Sequence, residues 1–133
     1  MPTNEAAAVR DALGALDSAF ERRDLKAILD LCTNDVVFIG SGEGEEAVGR
    51  EGVVEMLASL APHADGVEFT VAWDSVDVDV RADVALLVAW GTGTLVTPRR
   101  TATMRYRLTG VLLLHSDGRW LWRVHHGSEP AAW

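Results

Sequence analysis

Cysteine is nearly absent from this chain of 133 residues, where Cys32 stands alone. A single thiol cannot close an intrachain disulfide, so the fold must rest on its core, and a reducing, cytoplasmic setting is expected. Basic residues are also few. Lysine and arginine number 12 against 20 acidic residues, for a formal net charge of −8. Such a field repels phosphate backbones and anionic headgroups, so neither nucleic acid nor a membrane is expected as a partner. No apolar run approaches the roughly 18 residues needed to span a bilayer. The start, Met1-Pro2-Thr3-Asn4-Glu5, lacks the basic stretch and apolar run of a secretory signal, so none is expected. Internal repeats and low-complexity linkers are missing too, and residues 1–133 read as a single domain.

What is present begins with helices. Val9, Leu13, Leu16 and Phe20 fall on one stripe and predict an amphipathic helix over 5–22, with Thr3 or Asn4 as its cap. Asp24 reads as the N-cap of a second, shorter helix carrying Leu25, Ile28, Leu29 and Cys32. Its other reading is a buried catalytic acid. Asn34-Asp35 closes that helix before a short strand over 36–40. Residues 40–52 are rich in glycine, yet they lack the Gly-Lys-Ser/Thr ending and the G-x-G-x-x-G spacing of phosphate loops, and Glu43, Glu45 and Glu46 would repel phosphate. The segment reads as a mobile loop, with a lid over a pocket mouth as its functional version. A third helix over 51–60 stops at Pro62.

From residue 67 onward the pattern is strand. Residues 67–73 are one candidate strand, and 73–80 read as one long bent strand in which Val76, Val78 and Val80 alternate with Asp77 and Asp79. Strands over 84–96 and 101–115 follow, and the closing strand is 120–128. Asp117-Gly118 between the last two predicts a hairpin. With that pair at the tip, Arg107 falls opposite Ser128, Thr109 opposite His126, Val111 opposite Val124 and Leu113 opposite Trp122. One face is then apolar near the turn and polar far from it, the arrangement of a pocket floor.

Here the chain resembles the SnoaL-like branch of the nuclear transport factor 2-like superfamily. Three stretches carry the likeness: Asp24 with Asn34-Asp35-Val36-Val37-Phe38, Gly44 to Val53, and Arg107-Leu108-Thr109 with His126-Gly127-Ser128. The resemblance implies an α+β, cone-shaped fold: three N-terminal helices on a curved, mostly antiparallel sheet enclosing a pocket. It also implies a homodimer through the outer sheet face. It does not imply one activity, because function belongs to the site and not to the scaffold.

The expected site is Arg107, Thr109, His126 and Ser128, with Trp122, Phe20 and Phe38 as apolar lining. His126 is the candidate general acid/base; its other reading is a core histidine bonded to Thr109 or a carbonyl. Arg107 would anchor a ligand oxyanion, or else form an internal salt bridge. His125 points to the opposite face, so the two histidines cannot share an ion, and no metal or cofactor is expected. Tyr106, Leu108, Leu112, Leu114 and Leu121 lie on that opposite face and form the expected dimer surface. The face of Trp90 stays open. Three functions follow: a pocket protein for a small, partly apolar ligand bearing an oxyanion, a cyclase, isomerase or dehydratase using His126, or a dimeric interaction module with a vestigial pocket.

Overall fold

A computed structural model describes residues 4–132 of the chain. Thr3, one of the two expected caps, and Trp133 lie outside the described residues. Helix α1 runs Asn4–Glu21 and α2 Leu25–Asp30. Strands β1, Cys32–Ile39, and β2, Glu46–Val48, lead into α3, Gly49–Leu60. A short 3-10 turn over Ala61–His63 contains Pro62. Four long strands complete the chain: β3 Glu68–Arg81, β4 Val84–Val96, β5 Thr101–Leu114 and β6 Trp120–Ser128. The architecture is α+β, with the helices packed against a six-stranded sheet of order β2-β1-β6-β5-β4-β3. The β1–β6 pair is parallel, and every other neighbouring pair is antiparallel.

Burial explains why these elements associate. Helix α1 sinks Val9, Leu13 and Leu16 against the sheet, where they meet Leu87, Leu108, Leu112 and Trp122. Each fully buried aliphatic side chain contributes roughly 1.5–3 kcal/mol. On β3, Val76, Val78 and Val80 pack against this core while Asp77 and Asp79 face solvent, as their alternation requires. The strand shifts register between Trp73 and Ser75, so its bend sits at Asp74. Asp24 is a helix cap: its carboxylate accepts from the Ala27 amide at 3.2 Å, and the residue is exposed. That removes its catalytic reading.

Three expectations need correction. Strand β1 begins at Cys32, not at residue 36, because Cys32 pairs with Trp122 and the Trp122 amide donates to the Leu31 carbonyl at 2.8 Å. Residues 46–48 form β2 inside the stretch read as a loop, paired with Val37, Phe38 and Ile39. The largest correction concerns the closing hairpin. Arg107–Ser128, Thr109–His126 and Val111–Val124 pair as expected, but Leu112, not Leu113, pairs with Trp122. Arg123 is the extra residue of a β-bulge, and a one-residue shift turns every side chain beyond it to the other face. Trp122 therefore points inward with His125, and the inner row of β5 is Tyr106, Leu108, Gly110 and Leu112.

Candidate functional site in the concave face

The inner face carries a polar group that the sequence reading passed over. Asp17 sits on the buried side of α1 between Leu13, Leu16 and Phe20. The Trp73 indole Nε1 donates to its Oδ2 at 2.8 Å. Burial pushes this carboxyl up to about 6; the Trp73 hydrogen bond works against the rise, and the nearby Glu21 charge adds to it. Trp73 lies 6.2 Å from Tyr106 between ring centroids, and Phe69 lies 5.3 Å from Tyr106 in an edge arrangement.

Tyr106 is 8% exposed, and its hydroxyl lies directly over Gly127, where any Cβ would collide with it. Among the described residues the hydroxyl has no hydrogen-bond partner. Burial raises the phenol to about 12, with the charges of Glu45, Glu129 and Asp17 pushing the same way. Tyr106 thus stays protonated at neutral pH and is a donor for whatever oxygen or π-system meets it. The Glu45 side chain folds back across Gly40 and Gly42, and only glycine leaves room for it at either position.

His125 forms the other wall. Its ring lies 4.9 Å from Phe38, 5.0 Å from Trp122 and 6.3 Å from Phe20. This enclosure pushes the imidazole down to about 4, so it is neutral across the physiological range. Phe20 and Phe38 meet edge-on at 5.7 Å. Trp122 is fully buried and donates to the Ala12 carbonyl at 3.3 Å, so it supports the wall from the core.

The expected site residues divide across the sheet. Phe20, Phe38 and Trp122 are on the inner side. Arg107, Thr109 and His126 are exposed on the outer face, and part-buried Ser128 lies in the same outer row, opposite Arg107. Arg107 therefore does not reach the interior as an oxyanion anchor, and His126 is no proton shuttle there. Tyr106, Leu108 and Leu112, expected outside, are core residues. Leu121 is 6% exposed and lines an outer cleft of about 400 Å³ beside Cys32, Arg50 and Arg119. Trp90 lies on the outer face, 40% exposed. Two signals in the sequence mark the true interior. Arg105, Arg107 and Thr109 alternate with Tyr106 and Leu108, which puts the charges outside. A carboxylate also interrupts the apolar stripe of α1 at Asp17. Among the described residues no three His, Cys, Asp or Glu side chains gather to hold a metal ion.

Helices packed against a six-stranded, mostly antiparallel sheet put the chain in an α+β class. Residues 9–132 match the SnoaL-like domain family, and the chain belongs to it. No curated protein matches it in sequence. Among solved structures, a proposed dehydratase of the NTF2-like family from Streptomyces avermitilis aligns with a TM-score of 0.80 at 23% identity, over 99% of this chain and 100% of its own. A ketosteroid isomerase-like protein from Erwinia carotovora atroseptica gives 0.77 at 24% identity, over 98% and 99%. ActVI-ORFA from Streptomyces coelicolor gives 0.81 at 19% identity, over 99% of both chains. At these identities the likeness is one of fold.

Proposed function

We propose that the chain is an acid–base enzyme that moves a proton on a small, largely apolar molecule held in the concave face, with Asp17 as the proton-transfer group. The observation that carries this reading is the placement of Asp17: a carboxyl set among apolar side chains, held at 2.8 Å by Trp73 and raised to about 6. A base poised near the working pH combines a useful ionised fraction with a useful proton affinity. Tyr106, protonated and without a partner, supplies a hydrogen bond to an oxygen on which charge develops. His125, neutral and enclosed, shapes the wall and stays uncharged. The names of the dehydratase and isomerase-like relatives fit this chemistry, since both kinds of reaction involve proton transfer.

The test is proton exchange at carbon. Bicyclic ketones such as 2-tetralone are incubated with the protein in D2O, and α-deuteration is followed by NMR. Enzyme-dependent exchange that falls on the order of 100-fold or more in Asp17→Asn supports the reading. Exchange that survives in that variant overturns it.

A homodimer remains part of the proposal, through an outer face of different composition from the one expected. Leu86 is 48% exposed and Trp90 40%, and part-buried Val84, Val88, Val111 and Leu113 flank them. Sedimentation at micromolar concentration should give a dimer that Leu86→Glu dissociates, and a wild-type monomer would remove the idea. The lone buried thiol of Cys32 supports a cytoplasmic setting.

No helix of the described residues is long and apolar enough to cross a membrane.

A further inference from the structure

Two irregularities in the strands open the outer cleft. Between the pairs Cys32–Trp122 and Val37–Val124, residues 33–36 of β1 stand opposite Arg123 alone. This surplus of chain supplies one wall through Thr33, Asn34 and Asp35. The shift at Arg123 that turns Trp122 inward leaves Leu121 in the cleft, where Leu29 and Leu113 join it as an apolar lining. The volume of about 400 Å³ lies within the range of small-ligand sites. Asp17, Trp73, Tyr106 and His125 take no part in it, so it is separate from the concave face.

Most of the charge in this cleft is already matched. Asp35 meets Arg123 at 3.1 Å, and Arg119 and His115 both lie against Asp117, at 2.7 and 3.1 Å. Asp30 is exposed and solvated. Arg50 is the exception. Among the described residues two arginines are half-buried, Arg50 and Arg123. Arg123 has its carboxylate, whereas among these residues the hydrogen bonding of Arg50 is limited to the neutral Asn34 Oδ1 at 3.4 Å. Arg50 also stands in the first turn of α3, where the field of the helix opposes a cation. A half-buried guanidinium with neither a counter-ion nor a favourable field is costly, and an anion relieves that cost.

We infer that the outer cleft binds a small monocarboxylate: Arg50 holds its carboxylate oxygens through the planar guanidinium fork, and its apolar body lies on Leu29, Leu113 and Leu121. Asp30 and Asp35 at the cleft, and a net charge of −8, oppose a second negative charge, which separates a carboxylate from a phosphate.

A head-group series on one apolar body tests it: 3-phenylpropionate, 3-phenylpropan-1-ol and 2-phenylethylphosphonate, titrated into the isotope-labelled full chain at neutral pH and low salt, with amide shifts followed by NMR. The carboxylate should bind about 10-fold or more tightly than the alcohol and more tightly than the phosphonate, and should shift the amides of Asn34, Arg50 and Leu121. Arg50→Gln should remove the advantage over the alcohol. Arg50→Lys, which keeps the charge and loses the fork, should retain part of it. Arg99→Gln, which removes an exposed charge in the β4–β5 turn, is the control for net charge. An alcohol that binds as tightly as the carboxylate overturns the assignment, as does an equal loss in Arg99→Gln. A phosphonate that binds more tightly overturns the restriction to one charge. Shifts confined to Trp73, Tyr106 and their neighbours move the ligand to the concave face and remove the cleft site while leaving the concave site standing. No binding at about 10 mM removes the cleft site as well.

Discussion

His125 and His126 are adjacent on β6 and share almost nothing else. His125 is enclosed by Phe20, Phe38 and Trp122 and held neutral, whereas His126 is exposed opposite Thr109. The contrast extends across the whole sheet. Its inner face holds the core and a few half-enclosed polar groups, Asp17 with its Trp73 partner and Tyr106 among them. Its outer face holds Arg105, Arg107 and Thr109, with aspartates paired to arginines. Polar groups on the outer face are solvated and energetically cheap. On the inner face each one changes the protein's proton affinity, its packing, or both.

Truncating the wall should break the comparison most severely. Trp122→Ala removes a fully buried indole that supports His125, and urea unfolding should record a loss of about 3–5 kcal/mol. A loss below about 1 kcal/mol would mean that the inner face is loosely packed.

The pH dependence comes next, and the two inner groups oppose each other. His125 titrates at about 4 in the fold and at 6.5 when free. The unfolded chain binds the extra proton first, so this residue costs stability as pH falls from 6.5 towards 4. Asp17 titrates at about 6 in the fold against 3.8 when free, so the folded state takes its proton first and gains stability as pH falls through 6. Each amounts to at most about 3 kcal/mol, so wild-type stability should be nearly flat over this range. Asp17→Asn should be more stable than wild type at neutral pH and then weaken on acidification. His125→Gln should strengthen on acidification. Unfolding midpoints measured between pH 4 and 7 decide it; parallel curves for the two variants would refute the opposition.

Gly127→Ala is expected to cost about 1–3 kcal/mol, because the new Cβ meets the Tyr106 hydroxyl, while Ser128→Ala one residue on costs less than about 0.5. The smallest effect belongs to His126→Ala. It should alter stability by no more than about 0.5 kcal/mol and leave deuterium exchange intact. A large effect on exchange would return that residue to the site.

The order of elements was legible because periodicity and turn chemistry agree over long stretches. The stripe Val9, Leu13, Leu16, Phe20 can only be a helix face, and Asp117-Gly118 can only be a tight turn, with Gly118 at φ 91°. The faces of the closing hairpin were not legible from the turn alone. Near the tip β5 is apolar on both sides, with Val111 and Leu113 against Leu112 and Leu114, so hydrophobicity does not choose between them. Arg123, a bulged residue with no local signature, then moves Trp122 across the sheet. The proposed site is assembled from α1, β1, β3, β5 and β6, and no short stretch contains it. Asp17 was visible in principle, yet a single carboxylate on a helix resembles any solvated position until its Trp73 partner, 56 residues away, is known.

The strand order has a consequence for how the chain is made. Among the described strands β6 is made last, and it lies between β1 and β5 near the middle of the sheet. Until it arrives, β1 with β2 forms one fragment and β3-β4-β5 another, each with an open hydrogen-bonding edge. The β1–β6 ladder joins Cys32 to Trp122 across most of the chain, a closure that slows folding and comes late. Between the completion of β5 at Leu114 and of β6 at Ser128 both margins are open, an interval in which a chaperone matters.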